Sequence, residues 1–501
     1  MLEQLLLDSV ASKKLQIYGF LTKGKQTLVT PANLRENFSI SYNRLQALLE
    51  EIQFDLEKIG ITQSLWDENG NLICFNNPDL YMRYRSYLYN QSLPYKFVLT
   101  SLLEPEKNAE VFLKENFTSR ASLARKLTPL SEYLQEIGLK MNRSQIKISG
   151  EEKIVRVFYF NVCWFISYGA DVISNVDFIG SITPSDFLYL FLQQANQQAW
   201  KLMTAITHLR HQQGFFVNDE KLEELYFPNI ANPYPQLFGD NIDYHGHEAA
   251  EVDYLCFSIF YWPNYFDIKD PRLPFVMHSF DDNILHIKEL ANDLIADIKG
   301  GLLNGEFDDE AQTLMKANLF VVFYNQDLTS ASVPLLSAFM MGRIESQKTF
   351  YPFLYKHIYH FLKEKSKTAK FRWLGKRLED LIYLSALIIL PKLEITDSSA
   401  RLKVGLIPGP NFAVIHAIQN FLYDLNYVDA ELLTNVEERS CDFYISSSPS
   451  FLEDIPPEKI FVANSFEGDD YLSELYLVLK KAYLQKKLQL LAPEELSDST
   501  N

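Results

Sequence analysis

Glu36-Asn37-Phe38-Ser39-Ile40-Ser41 and Glu115-Asn116-Phe117-Thr118-Ser119 are the stretches that decide how the N-terminal third of this chain is read. Glu-Asn-Phe opens both. Each is followed by a near-match, Lys58-Ile59-Gly60-Ile61 in one case and Glu136-Ile137-Gly138-Leu139 in the other. Between the anchors, both copies carry a short polar turn and then an amphipathic helix. A repeat of this size predicts two tandem helix-turn-helix units, an arrangement that implies DNA.

In the first copy Thr30-Pro31 predicts a helix start, with Thr at the N-cap and Pro at the first helical position. Ser41 can cap the next helix through its hydroxyl. That helix places Leu45, Leu48, Leu49, Ile52 and Leu56 on one buried face. Ser41, Tyr42, Asn43, Arg44 and Gln46 lie at its N-terminal end, where a recognition helix meets base edges. Arg can reach guanine, and Asn or Gln can reach adenine. Downstream, Asp67-Glu68-Asn69-Gly70 predicts the tight turn of a wing between Ser64–Trp66 and Asn71–Phe75.

The second copy repeats the plan. A helix around Ala109–Asn116 precedes the turn, and Ser119 caps a helix with Leu123, Leu127, Leu130 and Leu134 facing inward. Its outward candidates are Ser119, Arg120, Ser122, Arg125 and Lys126. Pro129 predicts a kink there, or a new helix capped by Thr128. Leu139–Ile148 reads as a wing with Asn142-Arg143-Ser144 at its tip, so that Arg143 can meet phosphate or a minor groove.

At 501 residues the chain has room for three to five domains. A hydrophobic fraction of 47% and an aromatic fraction of 14% describe a packed globular protein. The net charge of -17 is unevenly placed. Residues 1–150 hold 18 Lys and Arg against 16 Asp and Glu, which leaves 29 against 48 in the remainder. A nearly neutral head on an acidic body suits a local DNA contact and excludes wrapping of the whole chain by nucleic acid. The four cysteines are scattered, which argues against disulfides or zinc and for a reducing cytosol. No basic leader opens the sequence and no apolar run is long enough to cross a bilayer, so the expected location is cytoplasmic, with no membrane partner.

From Thr183 to Leu393 the pattern is helical. Thr183-Pro184 opens a helix, and an amphipathic segment then runs through Trp200, Met203, Ile206 and Leu209. Further helices fit Asp282–Lys299, Asp308–Leu319, Thr329–Met341, Phe353–Lys363 and Trp373–Leu390. His208/His211 and His357/His360 have the i, i+3 spacing of metal ligands, but no third ligand accompanies them, and neither metal nor cofactor is expected. Residues 392–401 read as a polar linker. Beyond it, strands fit Leu402–Ile407, Ala430–Leu433, Asp442–Ser446 and Lys459–Val462, with helices at Asn411–Leu425 and Asp470–Leu488. This alternation predicts a small α/β domain with a parallel sheet. Its first loop, Pro408-Gly409-Pro410-Asn411, lacks the Lys of a phosphate-binding loop. His416 reads as packed or half-buried.

This order of parts resembles the Mga/AtxA family of bacterial virulence regulators. The specific matches are Phe117–Leu127, similar to the family's recognition segment, and Ile148-Ser149-Gly150-Glu151-Glu152-Lys153-Ile154-Val155-Arg156, similar to its Gly-Glu-x-x-Ile-x-Arg signature. Motif support covers about residues 85–165, and the likeness in architecture covers nearly the whole chain. The resemblance implies a mainly α multidomain fold. Two winged helix-turn-helix domains (1–80 and 81–170) would precede two helical bundles (171–284 and 285–396) and a small α/β domain like enzyme IIB (397–501). It implies that the bundles are phosphotransferase-regulated domains, phosphorylated on histidine by sugar-transport phosphocarriers, with His208 and His278 as candidates. The IIB fold carries a phosphorylated cysteine directly after its first strand. Here Ile407–Phe412 has none, which favours a structural or dimerising role.

The expected function is therefore a homodimeric, non-enzymatic regulator of transcription, an activator, that binds double-stranded DNA under control of the sugar phosphotransferase system. Two rivals stay open: an RNA-binding antiterminator with similar regulated bundles, and a phosphoryl-transfer enzyme of sugar transport.

Overall fold

Tandem repetition is visible directly in the backbone. The computed structural model describes residues 2–23, 28–67, 71–74, 77–167, 194–218, 222, 224–227, 232, 234–235, 243–260, 265–302, 307–329, 352–393, 401–407, 412–425, 427–433, 441–446, 455–462 and 470–491. Two compact units divide the chain, Met1–Lys288 with Phe320–Met341 and Glu289–Leu319 with Gly342–Asn501.

In the first unit, α1 (Leu2–Leu6) and α2 (Ser9–Lys23) lead through β1 (Leu28–Val29) into α3 (Pro31–Phe38) and α4 (Tyr42–Lys58). Thr30 caps α3 by accepting from the Asn33 amide, and Ser41 caps α4 by accepting from the Arg44 amide. The apolar stripe of α4 is buried as its spacing predicts. β2 (Leu72–Ile73) pairs antiparallel with β1, and a bridge from Trp66 to Leu72 closes the wing. The sequence reading found the wing but not β1 or the two leading helices. The expected turn tip, 68–70, lies outside the described residues.

The second copy is entered through α5 (Pro78–Gln91) and α6 (Leu93–Leu103), followed by α7 (Ala109–Glu115), α8 (Arg120–Lys126) and α9 (Thr128–Glu136). Its framework repeats the first with a shift of 78 positions, so that Leu34 maps to Phe112, Ser41 to Ser119, Leu45 to Leu123 and Gly60 to Gly138. The mapped residues of each pair match in role: buried side chains, N-cap hydroxyls, and left-handed residues that end the helices. The turn hydrogen bonds repeat too. The Ile40 amide donates to the Arg35 carbonyl at 3.2 Å, and Thr118 donates to Leu113 at 3.1 Å. Ile61 donates to Leu56 at 2.9 Å, and Leu139 to Leu134 at 2.7 Å. Gly60 and Gly138, with φ of 72° and 80°, stop the recognition segments where a left-handed residue is needed.

The Glu-Asn-Phe tripeptides are 79 positions apart, one residue out of step with this frame. In the first copy Ser39 takes the left-handed turn position (φ 50°), and Phe38 stays on the helix. In the second copy that position falls on Phe117 (φ 47°). The tripeptide is thus a true marker of the repeat but a false guide to its register.

Pro129 does break the helix, but Thr128 is not the cap. The N-cap of α9 is Leu127, and the Thr128 hydroxyl donates back to the Ala124 carbonyl at 3.0 Å. The wing is β3 (Lys140–Asn142) paired antiparallel with β4 (Lys147–Ser149). It leads into the long helix α10 (Glu152–Ser167). Arg85 of α5 is buried and donates to the Phe165 and Ile166 carbonyls at 2.7 and 2.6 Å. This clasps the end of α10, whose last carbonyls have no helical donor.

Beyond α10 come α11 (Gln194–Gln212), α12 (Glu248–Phe260), α13 (Leu273–His278), α14 (Leu285–Leu302), α15 (Asp309–Leu328), α16 (Pro352–Ser366) and α17 (Leu378–Leu393). The described residues of this region are mostly helical, as expected. The α15 helix extends past the predicted Leu319, and residues 369–377 form a 3-10 helix where α17 was expected to begin. The expected Thr183-Pro184 helix start and most of Thr329–Met341 lie outside the described residues.

The C-terminal sheet is parallel throughout, in the order β6-β5-β7-β8, from β5 (Leu402–Leu406), β6 (Val428–Leu432), β7 (Phe443–Ser446) and β8 (Ile460–Val462). Helix α18 (Phe412–Tyr423) lies between β5 and β6, and α19 (Asp470–Leu491) follows β8. Ile418, Leu422, Leu475 and Leu479 join β5 and β7 residues in one core. His416 is exposed, contrary to expectation, because Ile418 and Leu422 take the buried face of α18. The loop 408–411 lies outside the described residues.

Candidate nucleic-acid interface

Each recognition segment starts with a serine cap because a Ser hydroxyl satisfies one of the orphan amides of the first turn. The Ser41 oxygen stands 3.4 Å from the Arg44 nitrogen, and the Ser119 oxygen 3.2 Å from the Ser122 nitrogen. These bonds occupy both serine oxygens as acceptors. Both bonds fix the first turn of the helix that follows.

In the first copy Tyr42, Asn43 and Arg44 are exposed, with Tyr42 at 54%. Gln46 is half-buried and bonds Glu50 at 2.9 Å. In the second copy Arg120 and Arg125 are exposed, while Ser122 is half-buried. Arg120 makes a loose pair with Glu110 at 3.2 Å, exposed on both sides and worth little to stability. Arg143 is exposed at the wing tip, where Asn142 accepts from the Ser144 and Gln145 amides at 3.0 and 3.1 Å.

Lys126 departs from the expected outward face. Its frame equivalent in the first copy is the buried Leu48. It is half-buried and lies 3.5 Å from Asp8. With Arg125, Asp8, Lys14, Asp55 and Tyr87 it lines a cavity of about 590 Å³ behind the helix. The strict leucine stripe hid this, because Lys126 lies just beyond the seam that the leucines define.

Lys140, on β3, is exposed near Arg143 and was not singled out from the sequence. The alternation of Lys140 with the buried Leu139 could have marked it. On the other strand, Lys147 lies 4.6 Å from the centre of the Phe215 ring, so this third basic residue of the wing packs on the body.

Directly after the wing, a buried ionic cluster ties this unit to the helices that follow. Arg156, fully buried on α10, donates to both oxygens of Glu251 at 2.7 and 2.8 Å and to Glu152 at 3.0 Å. Arg210 on α11 donates to both oxygens of Glu152 at 2.9 and 2.7 Å. His211 Nε2 stands 2.9 Å from Glu251 Oε2, and the Val217 amide donates to Glu251 at 2.6 Å. Burial would raise the Glu251 pKa, yet Arg156 and His211 hold it down to about 2. Arg156 is the Arg of the Gly-Glu-x-x-Ile-x-Arg stretch and Glu152 fills one of its open positions, whereas the Glu of the pattern, Glu151, pairs with Lys153 at 2.9 Å.

The two histidine candidates have different settings. His208 is buried on α11, and burial followed by the neighbouring His211 lowers its pKa to about 4. The His278 side chain is 46% exposed, with Nδ1 3.0 Å from Asp282 and its ring edge-on to Tyr226 at 4.2 Å. Among the described residues no group of three or more His, Cys, Asp or Glu side chains could hold a metal ion, and no helix is long and apolar enough to cross a membrane.

No curated protein matches the chain. Residues 81–162, which run from α5 through the second winged unit into α10, match the family model of the Mga helix-turn-helix domain, and that match points to a DNA-binding regulator of transcription.

Proposed function

We propose that this chain is a homodimeric transcriptional activator whose second winged unit makes the principal DNA contact. The observation that carries the reading is the coincidence of the family match at 81–162 with the unit that exposes Arg120, Arg125, Lys140 and Arg143 on one recognition segment and its wing. The α8 helix enters the major groove by its N-terminal end, the wing meets the adjacent backbone, and phosphate contacts supply most of the affinity. The first unit adds Tyr42, Asn43 and Arg44 to a neighbouring stretch.

Control resides in the acidic body. The helical region acts as phosphotransferase-regulated domains that receive phosphate on histidine from sugar-transport phosphocarriers. His278 is the acceptor the geometry favours. With Nδ1–H held by Asp282, Nε2 is left as the nucleophile, and the ring is reachable. A buried His208 is not. The C-terminal parallel sheet acts as an IIB-like module for self-association.

Binding of the full chain to duplex DNA and to hairpin RNA, measured across a salt series, tests this reading. Duplex is expected to win. Arg125→Ala should weaken duplex binding about tenfold and reduce the salt slope by about one. Preference for the hairpin RNA, or an Arg125→Ala protein indistinguishable from wild type, would refute it.

A further inference from the structure

We infer that the Phe117 ring is a specificity contact of the second reader, seated against the C5 methyl of a thymine at the edge of the groove that α8 enters. This rests on the reading of that unit as a DNA reader.

The fold gives no reason for a phenylalanine here. The ring is 97% exposed, so it contributes nothing to a core. Its backbone lies in the left-handed region at φ 47°, the position after a helix end where glycine is preferred. The equivalent residue of the first copy, also left-handed, is the small polar Ser39. The first copy keeps its own phenylalanine half-buried, where the Phe38 ring lies 6.0 Å from the half-buried Phe20 with the Lys13 ammonium 5.5 Å away. The register shift between the copies therefore leaves one aromatic half-covered and the other fully out.

The place it is turned towards is informative. Phe117 precedes the cap Ser119 by two residues and Arg120 by three, at the end of α8 that a recognition helix presents to base edges. Among major-groove base edges, the thymine methyl is the feature an apolar ring can select. Deoxyribose offers apolar surface too, but with no dependence on sequence.

The experiment uses the full chain and a duplex selected by it from a random pool. Each thymine of that duplex is then replaced by uracil, which removes only the methyl. Wild type is expected to lose about fourfold at one replaced position, the value of one buried methyl. Phe117→Ala should bind the thymine duplex about tenfold more weakly and be indifferent to that replacement. Phe117→Gly should show the same binding defect with a raised unfolding midpoint, which separates the contact from any loss of folding. Phe117 variants that bind within twofold of wild type, or that stay sensitive to uracil, overturn the inference. With Arg125→Ala weakened in the same assay, such a result leaves the DNA reading intact. If wild type selects no duplex at all, both fall together.

Discussion

The two winged units share a frame residue for residue, and they differ wherever that frame faces something other than itself. Caps, left-handed helix ends and the leucine seam recur at equivalent positions because each is needed to close the same helical turn. The inner corner differs. Asp55 in the first copy is a buried carboxylate that accepts from Lys14 at 2.6 Å and from Tyr84 and Tyr87 at 3.2 and 3.3 Å. Its counterpart Tyr133 packs its ring 6.5 Å from Phe158 of α10. The first copy is thus tied by a polar corner to α2 and α5, and the second by an aromatic one to its exit helix. The recognition segments differ as well. The 17-residue α4 is continuous, whereas Pro129 leaves α8 a seven-residue piece aimed chiefly by its cap. Only the second copy leads straight into the ionic cluster of Glu152, Arg156, Arg210 and Glu251. Duplication preserved the scaffold, and the second copy is the one wired to the body.

The largest effect should come from cutting that wiring. Arg156→Ala leaves Glu251 buried with its main partner gone, and a broken buried pair costs about 3–5 kcal/mol. Lys14→Ala in the first copy removes one of three donors to Asp55 and should cost less, about 1–3 kcal/mol. Urea unfolding of the two variants measures the difference. Equal losses would mean that the cluster is no stronger a tie than an ordinary polar corner.

A core substitution tests the shared frame. Leu45 and Leu123 are equivalent and both buried, at 1% and 3% exposure. Leu45→Ala and Leu123→Ala should each cost about 2–5 kcal/mol. If one is severe and the other mild by urea unfolding, the frame is not energetically repeated.

Acid should loosen the region behind the second copy. His208 is held to about 4 in the fold against an ordinary value of 6.5, so the folded form binds fewer protons between these values. Stability is then full above pH 6.5 and falls as pH drops towards 4, by about 1.4 kcal/mol per unit at the steepest. His208→Gln should flatten that slope in urea unfolding measured across this range. An unchanged slope would assign it to other groups.

Much of this architecture was legible in the chain because local rules produced it. Thr30-Pro31, Ser41 and Ser119 set helix starts through hydrogen bonds within three residues, and the spacing of Leu123, Leu127, Leu130 and Leu134 declared a buried seam. The parallel sheet followed from strand and helix alternation. What was hidden depends on distant partners. Nothing near Lys126 in sequence announces Asp8, and nothing near Arg156 announces Glu251. The short strand β1 exists only because β2 pairs with it. The one-residue slip at Phe117 was hidden for a different reason: identical tripeptides suggest identical register, and only backbone angles reveal otherwise. Of the candidate interface, the arginines were readable as exposed positions on an amphipathic helix, while the fates of Lys126 and His208 were tertiary.

The smallest expected effect separates the copies by function. Ser41→Ala and Ser119→Ala each remove one cap acceptor and should cost about 1 kcal/mol, whereas glycine at either site should cost only a few tenths. Consequences for binding should differ. In the long α4, the loss frays one turn of a helix held by its buried stripe. In the short α8, the same turn is about half of the helix, and a helix of that length has little intrinsic stability to fall back on. Ser119→Ala should therefore weaken duplex binding several-fold at unchanged global stability relative to Ser41→Ala, with titration and urea unfolding run on the same preparations. If Ser41→Ala is the variant that loses affinity, the first copy is the principal reader and the basic face of the second belongs to some other contact.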